Sequence, residues 1–348
     1  MASPKISQPA RIGVLLINLG GPDTLDDVKP FLYNLFSDPE IIQLPIPALQ
    51  KPVAWLISTT RHKKSANYYR QIGGGSPQRR ITEQQAQALE TELTQRGIQA
   101  KTYVGMACWH PLVEDTFEQI KKDQITHLII LPLFPQFSVT TTGSAAKKLI
   151  RIINSQGGVR HIRRSYITRY ETHPAYIEAL AQMTVAEFRK LPDQNPAATT
   201  LLFSAHSIPE KYVRRGDPYL KQTQATVAAV MARVRYHLGA EPLHFLSFQS
   251  KIGPVKWLEP STEVTLRKFA EERRKQVLAI PISFVSEHIE TLYEMDILYK
   301  EMAEKIQLPF FRVPTLNCHP LFIQSLADLV ETRLRPQPQL VVKQAGQR

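Results

Sequence analysis

Short apolar runs alternate along the chain with longer segments whose apolar residues recur every three to four positions. The runs are rich in Val, Ile and Leu without polar alternation, which is typical of parallel strands buried on both faces. The predicted strands are Ile12–Asn18, Lys101–Met106, His127–Leu133, His161–Ile167, Thr199–Ser204, Leu243–Phe248, Val277–Ser283 and Phe310–Val313.

The segments between these runs have the period of amphipathic helices. Asp23 precedes the first of them and Pro260–Ser261 opens another, as helix starts commonly do. The regular alternation of strands and helices predicts an α/β fold. The predicted helices are Thr24–Phe36, Thr82–Arg96, Leu112–Lys122, Ala145–Asn154, Ala175–Lys190, Tyr219–Leu238, Ser261–Glu272, Ile289–Ile306 and Leu321–Leu334.

Eight such strands fit either one closed barrel or two doubly wound domains of four strands each. The connection from the first strand to the second is long, and the stretch 191–197 near the middle is rich in Pro, Asn and Asp. This irregularity favours two domains that face each other across a cleft.

Both architectures place functional groups just past the carboxyl ends of the strands. Polar and aromatic side chains are concentrated there, in the segments 18–21, 109–111, 135–138, 204–207, 249–251 and 286–290. We therefore expect the chemistry of the protein at these edges.

Two of these segments carry the strongest candidates. His206 follows an apolar strand, where an imidazole can hydrogen-bond a loop, accept a proton near pH 7 or bind a divalent metal. Glu287, Glu290 and Glu294 have the spacing of one helix face. The first two also suit a helix N-terminus electrostatically, so the stripe is either a capping feature or a route for a cation or protons.

Composition and charge limit the kinds of partner that the protein can be expected to bind. The chain has 348 residues, 43 Lys and Arg against 31 Asp and Glu, and a net charge of +12. This excess indicates nucleic acid, an anionic membrane surface or a negatively charged small molecule. Two cysteines, Cys108 and Cys318, are too few for a disulfide framework, a four-cysteine zinc site or a cysteine-ligated iron–sulfur cluster.

Several common motifs are excluded. The stretch 73–77 lacks the spacing of a phosphate-binding loop, and no dinucleotide-binding glycine pattern follows the first strand. No C-x-x-C, H-E-x-x-H or G-x-S-x-G occurs. The stretch 61–70 combines basic and aromatic residues. It is therefore a contact for nucleic acid, a binding surface for the carboxylates of a flat aromatic ligand, or a solvent-exposed surface.

The amino-terminal stretch has no apolar core of a secretory signal, and no run reaches the length of a membrane-spanning helix. We therefore expect a cytoplasmic protein. The apolar run 41–57 is interrupted by three prolines and a lysine. Composition alone favours a buried loop there over an exposed lip.

Taken together, the motifs resemble the ferrochelatase family, enzymes that insert ferrous iron into a porphyrin at the end of haem synthesis. The resemblance keeps the family's order and spans about residues 10–335. It is carried by the segments 16–23, 69–77, 109–111, 135–138, 141–144, 203–209, 216–218, 249–254, 257–258 and 288–294.

The resemblance implies two Rossmann-like domains, each a four-stranded parallel sheet flanked by helices, with the porphyrin between them. The first domain would comprise 10–172 completed by the carboxyl-terminal helix 318–335, the second 173–317, and 336–348 would be a polar tail. It also implies no permanently bound cofactor, since Fe²⁺ is a substrate, and no role for nucleic acid.

By this resemblance His206 and Glu290 form the central pair. Either His206 takes the pyrrole protons while carboxylates deliver iron, or His206 binds iron while Glu290 removes protons; the sequence leaves both open. Glu287 and Glu294 would line the metal or proton route. Porphyrin contacts carried over by position are Asn18, Leu19, Arg61, Lys64, Tyr69, Ser76, Phe137 and Trp257.

The resemblance also reverses the expectation for the run 41–57, because the family has an apolar lip at the mouth of its cleft. We therefore expect peripheral association with an anionic membrane, as a monomer or homodimer. One departure is notable: Ala107 and Cys108 stand where the family usually has Arg and Tyr, which predicts a thiol in the cleft. Alternatives are a chelatase for another tetrapyrrole or metal, such as coproporphyrin III or Co²⁺, and a non-catalytic carrier.

Overall fold

The computed structural model describes residues 10–39, 44, 46–155, 162–251 and 255–335. Within them lie two separate parallel sheets, and each of the eight predicted strands is present. The strands are β1 (Ile12–Asn18), β2 (Ala100–Met106), β3 (His127–Pro132), β4 (Arg163–Tyr166), β5 (Thr199–His206), β6 (Leu243–Gln249), β7 (Gln276–Pro281) and β8 (Phe310–Arg312).

The two sheets have the same strand order. The first runs β2-β1-β3-β4 and the second β6-β5-β7-β8, with all pairs parallel. Parallel strands need crossover connections, and the helices supply them. The repeated doubly wound topology confirms the two-sheet α/β prediction over the barrel.

Helices cover both sheets. The described α-helices are α1 (Val28–Ser37), α2 (Gln50–Gln71), α3 (Gln78–Gln95), α4 (Val113–Lys122), α5 (Thr142–Ser155), α6 (Pro174–Phe188), α7 (Glu210–Arg214), α8 (Tyr219–Leu238), α9 (Thr262–Glu271), α10 (Ile289–Leu292), α11 (Lys300–Lys305) and α12 (Pro320–Leu334). A π-helical turn, Glu294–Tyr299, joins α10 to α11.

The core follows from the alternation of side chains along each strand. In β1, Val14 and Leu16 point into the largest apolar cluster, whereas Leu15 and Ile17 point into a second cluster under α4 and α5. The largest cluster also contains Phe203 of the second sheet. A shared core therefore sets the two sheets side by side.

Polar contacts reinforce this arrangement. Gln136, in the loop after β3, donates to Thr226 at 3.0 Å and to the Ile282 carbonyl at 3.1 Å. Gln85 of α3 donates to the carbonyls of Val285 and Asn317 at 3.1 and 2.9 Å. These buried bonds fix the facing edges of the two sheets.

Three elements differ from the prediction, and one of them is the short helix α7, for which no helix is predicted. The run 41–57 and the basic stretch after it include a 22-residue helix, α2, for which no helix is predicted. Its Pro52 lies in the first turn, where proline is tolerated because that N–H has no helical partner. The predicted helix Ile289–Ile306 is instead α10, the π-helical turn and α11.

The domain boundaries remain a prediction. Helix α12 packs against α3 and also against α6, so it contacts elements of both halves. The predicted tail 336–348, part of the run 41–57 and residues 252–254 lie outside the described residues. No helix in the described part of the chain is long and apolar enough to cross a membrane.

Candidate active site

His206 ends β5 and is held by its backbone. Its N–H donates to the Ser283 hydroxyl at 3.2 Å, and its carbonyl accepts from the Tyr219 hydroxyl at 2.8 Å. The Tyr219 and Ser283 oxygens are themselves 2.6 Å apart. Because the backbone is fixed on both sides, the imidazole is presented at the carboxyl edge of the second sheet.

The imidazole pairs with the Glu290 carboxylate. His206 Nδ1 lies 2.9 Å from Glu290 Oε2. A carboxylate only accepts, so Nδ1 carries the proton, and in the neutral ring Nε2 keeps a free lone pair. Burial lowers the pKa of His206, but the Glu290 charge outweighs it, and the pKa lies above its ordinary value.

Glu290 itself is held as an anion. Burial raises its pKa, but the charges and hydrogen bonds of His206 and His288 hold that pKa well below its usual range. His288 Nε2 is 3.6 Å from Glu290 Oε2. His288 Nδ1 donates to the Ser286 carbonyl at 3.2 Å, which orients the second ring.

Glu294 lies at the start of the π-helical turn, one helical turn beyond Glu290. Its Oε2 accepts from Ser250 Oγ at 2.6 Å and from Gln249 Nε2 at 3.1 Å. Burial and the nearby charge of Glu290 raise the pKa of Glu294 to about 7. Glu294 therefore exchanges a proton near neutral pH, unlike Glu290.

Glu287 is not brought to this group. Its carboxylate accepts from Arg312 Nη1 at 2.9 Å, from the Thr315 N–H at 2.9 Å, and from the Thr291 hydroxyl. Burial raises its pKa, but Arg312 outweighs burial, so the pKa of Glu287 is lowered. With these partners Glu287 does not line the cavity beside His206, and its predicted place on a metal or proton route stays a prediction.

A cavity opens beside His206 and Glu290, between the two sheets. It encloses about 750 Å³ of empty space, including the part open to solvent. Among the predicted site residues, it is lined by Asn18, Leu19, His206 and Glu290. Its apolar walls include Leu133, Phe134, Ile208, Phe284 and Val285.

Asn18 is buried and fixed at the end of β1. Its Nδ2 donates to Thr82 at 3.2 Å, and its Oδ1 accepts from Gln78 Nε2 at 3.2 Å and from the Leu19 N–H at 2.9 Å. These bonds hold the turn after β1 against α3. They account for the placement of Asn18 and Leu19 on the cavity wall.

The remaining predicted porphyrin contacts are not among the residues that line this cavity. Arg61 and Lys64 lie on the exposed side of α2, over the rings of Phe36 and Tyr68 at 5.9 Å each. Tyr69 is buried under the same helix, and burial raises its pKa. Phe137 donates its N–H to Gln222 at 2.7 Å, and Trp257 forms a backbone bridge with Pro209.

Ser76 ends a glycine turn that packs on the loop after β1. Its N–H donates to the Pro22 carbonyl at 2.7 Å. A Cβ at Gly75 would lie 2.1 Å from the Asp23 carbonyl oxygen, so only glycine fits. The turn is thus closely packed at Gly75, whereas Gly73 and Gly74 are open, with positive φ angles of 106° and 95°.

Cys108 corrects one prediction. Its side chain is 2% exposed and packs among Phe31, Trp109 and other apolar residues under α1 and α2. It is therefore a core thiol and not a cleft thiol. The burial of Cys108 could not be predicted from the sequence, because the motif around it suggested the edge of a cleft.

Sequence reasoning missed several contributors to the site. His288, Ser283, Tyr219 and Phe284 touch or support the His206–Glu290 pair. His288 occurs in a strand-end segment and could have been found from that position; Tyr219 begins a helix distant in sequence and carries no such signal. Among the described residues, no group of three or more His, Cys, Asp or Glu side chains is arranged to hold a metal ion.

Comparisons with known proteins show the family of this chain. A family model described as ferrochelatase matches residues 11–334. The ferrochelatase of Gloeothece citriformis is 50% identical over 322 residues, covering 92% of this chain and 82% of that protein. The ferrochelatase of Synechocystis is 48% identical over 330 residues, covering 94% and 84%.

Solved structures show the fold at much lower identity. The sirohydrochlorin chelatase SirB of Bacillus subtilis in complex with cobalt has a TM-score of 0.51 at 13% identity and covers 94% of this chain and 98% of that chain. CbiX, the terminal enzyme of sirohaem biosynthesis in denitrifying bacteria, has 0.50 at 14%, covering 93% and 100%.

The fold, with its two duplicated parallel sheets, is that of the solved chelatases. The extent of the family match and the identity to cyanobacterial relatives go further. The chain belongs to the ferrochelatase family, and its function is that of a ferrochelatase, at the end of haem biosynthesis.

Proposed function

We propose that the chain acts as a lyase on protoporphyrin IX, inserting Fe²⁺ with loss of two pyrrole protons to give protohaem. The observation that carries this proposal is the His206 Nδ1–Glu290 Oε2 contact of 2.9 Å at the wall of the cavity. The reaction needs a proton acceptor beside the macrocycle, and this pair supplies one. Iron is a substrate here, and the proposed reaction requires no permanently bound cofactor.

His206 acts as the first proton acceptor. Its Nδ1 is engaged by Glu290, which leaves Nε2 to take a proton from a pyrrole N–H. The Glu290 carboxylate stabilises the imidazolium that forms, as a buried carboxylate beside a catalytic histidine does. The alternative, in which His206 binds iron, uses the same lone pair, so one nitrogen cannot serve both roles at once.

Glu294 is the next acceptor. Its pKa of about 7 is close to the working pH, where proton transfer is most effective. Gln249 contacts both the Glu290 carbonyl, at 2.8 Å, and the Glu294 carboxylate. Protons leaving His206 thus pass to Glu294, away from the porphyrin, while Glu290 stays ionised.

The porphyrin lies between the sheets, with its macrocycle against Leu19, Phe137 and Trp257 and with Asn18, Tyr69 and Ser76 at the margin. Arg61 and Lys64 receive the propionates. Support comes from their positions on one exposed side of α2, since guanidinium and ammonium groups suit carboxylates.

Exposed apolar side chains just before α2 and in its first two turns form a lip that rests on an anionic membrane. They are Ile46, Leu49, Trp55 and Leu56, with exposures of 56, 47, 58 and 55%. An apolar patch beside the basic residues of α2 suits a negatively charged interface. We propose a cytoplasmic protein that associates peripherally with the membrane through this lip.

An anaerobic assay of iron insertion tests the proposal. The wild type should insert Fe²⁺ into protoporphyrin IX, while His206→Ala should lose turnover by at least about 100-fold yet still quench porphyrin fluorescence on binding. His237→Ala is the matched control and should retain activity, because His237 is a half-buried histidine of α8 that pairs with Glu178 of α6.

The same assay separates the alternatives. Insertion only into coproporphyrin III, or only of Co²⁺, would show a chelatase of different specificity. Porphyrin binding without insertion of any metal would show a carrier. Full turnover in His206→Ala would refute the role of His206.

A further inference from the structure

The segment that carries Glu290 and Glu294 is irregular. Helix α10 ends at Leu292, and the Tyr293 carbonyl then accepts from both Ile297, at 3.2 Å, and Leu298, at 2.9 Å. A bond to the fifth residue along defines a π-helical turn, a conformation that chains seldom adopt without outside support. The apolar period predicts one continuous helix here, so tertiary contacts must select the observed path.

Arg312 of β8 supplies contacts to both ends of this segment. Its Nη1 donates to Glu287 Oε1 at 2.9 Å, immediately before α10. Its Nε and Nη2 donate to the two carboxylate oxygens of Asp296 at 2.6 Å each, inside the π-helical turn. One guanidinium thus spans the residues on either side of Glu290 and Glu294.

The geometry of this bridge is specific. The Asp296 contact is bidentate, which fixes the direction as well as the distance of the carboxylate. The side chain of Arg312 is 10% exposed and that of Glu287 is 12% exposed. Burying such ions is costly, so they contribute little net stability and are better explained by the conformation that they select.

We infer that Arg312 is a positioning residue: its bridge from Glu287 to Asp296 holds the π-helical turn and so keeps Glu290 against His206 and Glu294 against Ser250. This inference rests on the proposed function for its effect on turnover. The effect on the conformation of the segment is independent of that function. Arg312 is not among the residues that line the cavity beside His206, and it is not a catalytic residue.

Asp296→Asn is the sharpest variant. Asp296 is 37% exposed, so the change keeps the shape and removes the charge of the bidentate contact with little risk to folding. We expect kcat to fall by about 10-fold or more, because small misplacements of catalytic groups have large effects. KM for the porphyrin should stay within about twofold of wild type, since the porphyrin contacts are elsewhere.

Two further measurements separate positioning from general destabilisation. The pH–rate profile of Asp296→Asn should shift, because Glu294 loses the environment that sets its titration. Hydrogen exchange followed by mass spectrometry should become faster in 289–299 and stay unchanged in the strands. Arg312→Lys keeps the positive charge but cannot form the bidentate contact with Asp296. It should give intermediate results in both the pH–rate profile and hydrogen exchange.

Glu263→Gln is the matched control, because it breaks an ion pair with Arg267 on α9 of the same half and should leave all readouts unchanged. Wild-type kcat, pH profile and exchange in Asp296→Asn would overturn the inference. If hydrogen exchange in 289–299 is faster in Asp296→Asn but the wild type inserts no metal, the positioning role of Arg312 stands and only the proposed function is refuted. Unchanged exchange with lost turnover would overturn the positioning while leaving the proposed function intact.

Discussion

The Nδ1 atom of His206 lies 2.9 Å from Oε2 of Glu290, although the two residues are 84 positions apart in the sequence. Glu290→Gln keeps the size of the side chain but removes the charge that raises the pKa of His206. We expect kcat for Fe²⁺ insertion to fall by about 100-fold or more and the pKa of His206, followed by NMR, to decrease.

The control for this change is Glu304→Gln, at an exposed glutamate of α11, which should behave as wild type. If the pKa of His206 were the same in Glu290→Gln and wild type, the carboxylate would not set the basicity of the ring. Retained turnover with a lowered pKa would instead remove His206 as the rate-limiting proton acceptor.

Glu294 makes the stability of the protein depend on pH. Its pKa of about 7 in the folded protein lies above that of an unfolded glutamate, about 4.3. The native state therefore binds more protons than the unfolded state between these values, and the contribution of Glu294 to the free energy of unfolding falls as pH rises through this window. The contribution is fully present only below it.

Glu294→Gln should abolish this dependence. Relative to wild type, we expect the variant to gain stability between pH 5 and pH 8, on the order of 1–3 kcal/mol, in urea unfolding at a series of pH values. A stability difference that stays constant across this range would show that Glu294 titrates normally.

Much of the fold was accessible from the sequence because buried parallel strands leave an unmistakable pattern. All eight strands and the duplicated α/β plan follow from apolar runs such as Ile12–Asn18. Helix α2 was not accessible, since its apolar residues are exposed in places and its first turn contains Pro52. Helix α2 is stabilised by packing on α1. The apolar periodicity of a single segment cannot predict such a tertiary contact.

The candidate site divides in the same way. His206 and Glu290 were predicted from strand ends and the family resemblance, and the structure places them in contact. Glu287 shares their spacing, yet its partner Arg312 comes from a distant strand, so no local pattern could show that its carboxylate is already bound. The π-helical turn likewise depends on tertiary contacts.

The exposed lip predicts a specific membrane contact. Trp55→Ser combined with Leu56→Ser should weaken binding to phosphatidylserine-containing vesicles by at least about 10-fold, since burying each large apolar side chain contributes about 1.5–3 kcal/mol. Co-sedimentation measures this. Stability should not change, because both side chains are more than half exposed, at 58 and 55%.

Tyr236→Ser is the control for the lip, as Tyr236 is 72% exposed on α8, in the second half of the chain. Equal vesicle binding by the lip variant and the wild type would rule out the lip as the contact. An equal loss in Tyr236→Ser would show a general effect of exposed apolar surface.

The rings of Tyr68 and Tyr293 stack with centroids 4.1 Å apart and planes at 24°, joining α2 to the residue between α10 and the π-helical turn. Tyr68→Ala should lower the free energy of unfolding by about 1 kcal/mol, the usual contribution of an aromatic pair beyond burial. Tyr68→Phe retains the ring and should remain close to wild type in denaturant titration. Equal stability of all three proteins would show that the stack contributes nothing.

Cys108 should be inert in the folded protein. Burial raises the pKa of its thiol to about 12, and reaction requires an accessible thiolate. In Cys318→Ser, which leaves Cys108 as the single thiol, we expect labelling by a chromogenic disulfide to proceed only at the rate of unfolding and to become rapid in denaturant. Fast labelling under native conditions would mean that Cys108 reaches solvent and would restore the prediction of a cleft thiol.

The burial of Cys108 also predicts that Cys108→Tyr overfills the cluster of Phe31 and Trp109. This substitution should lower the free energy of unfolding by about 1–3 kcal/mol, measurable in the same unfolding experiment.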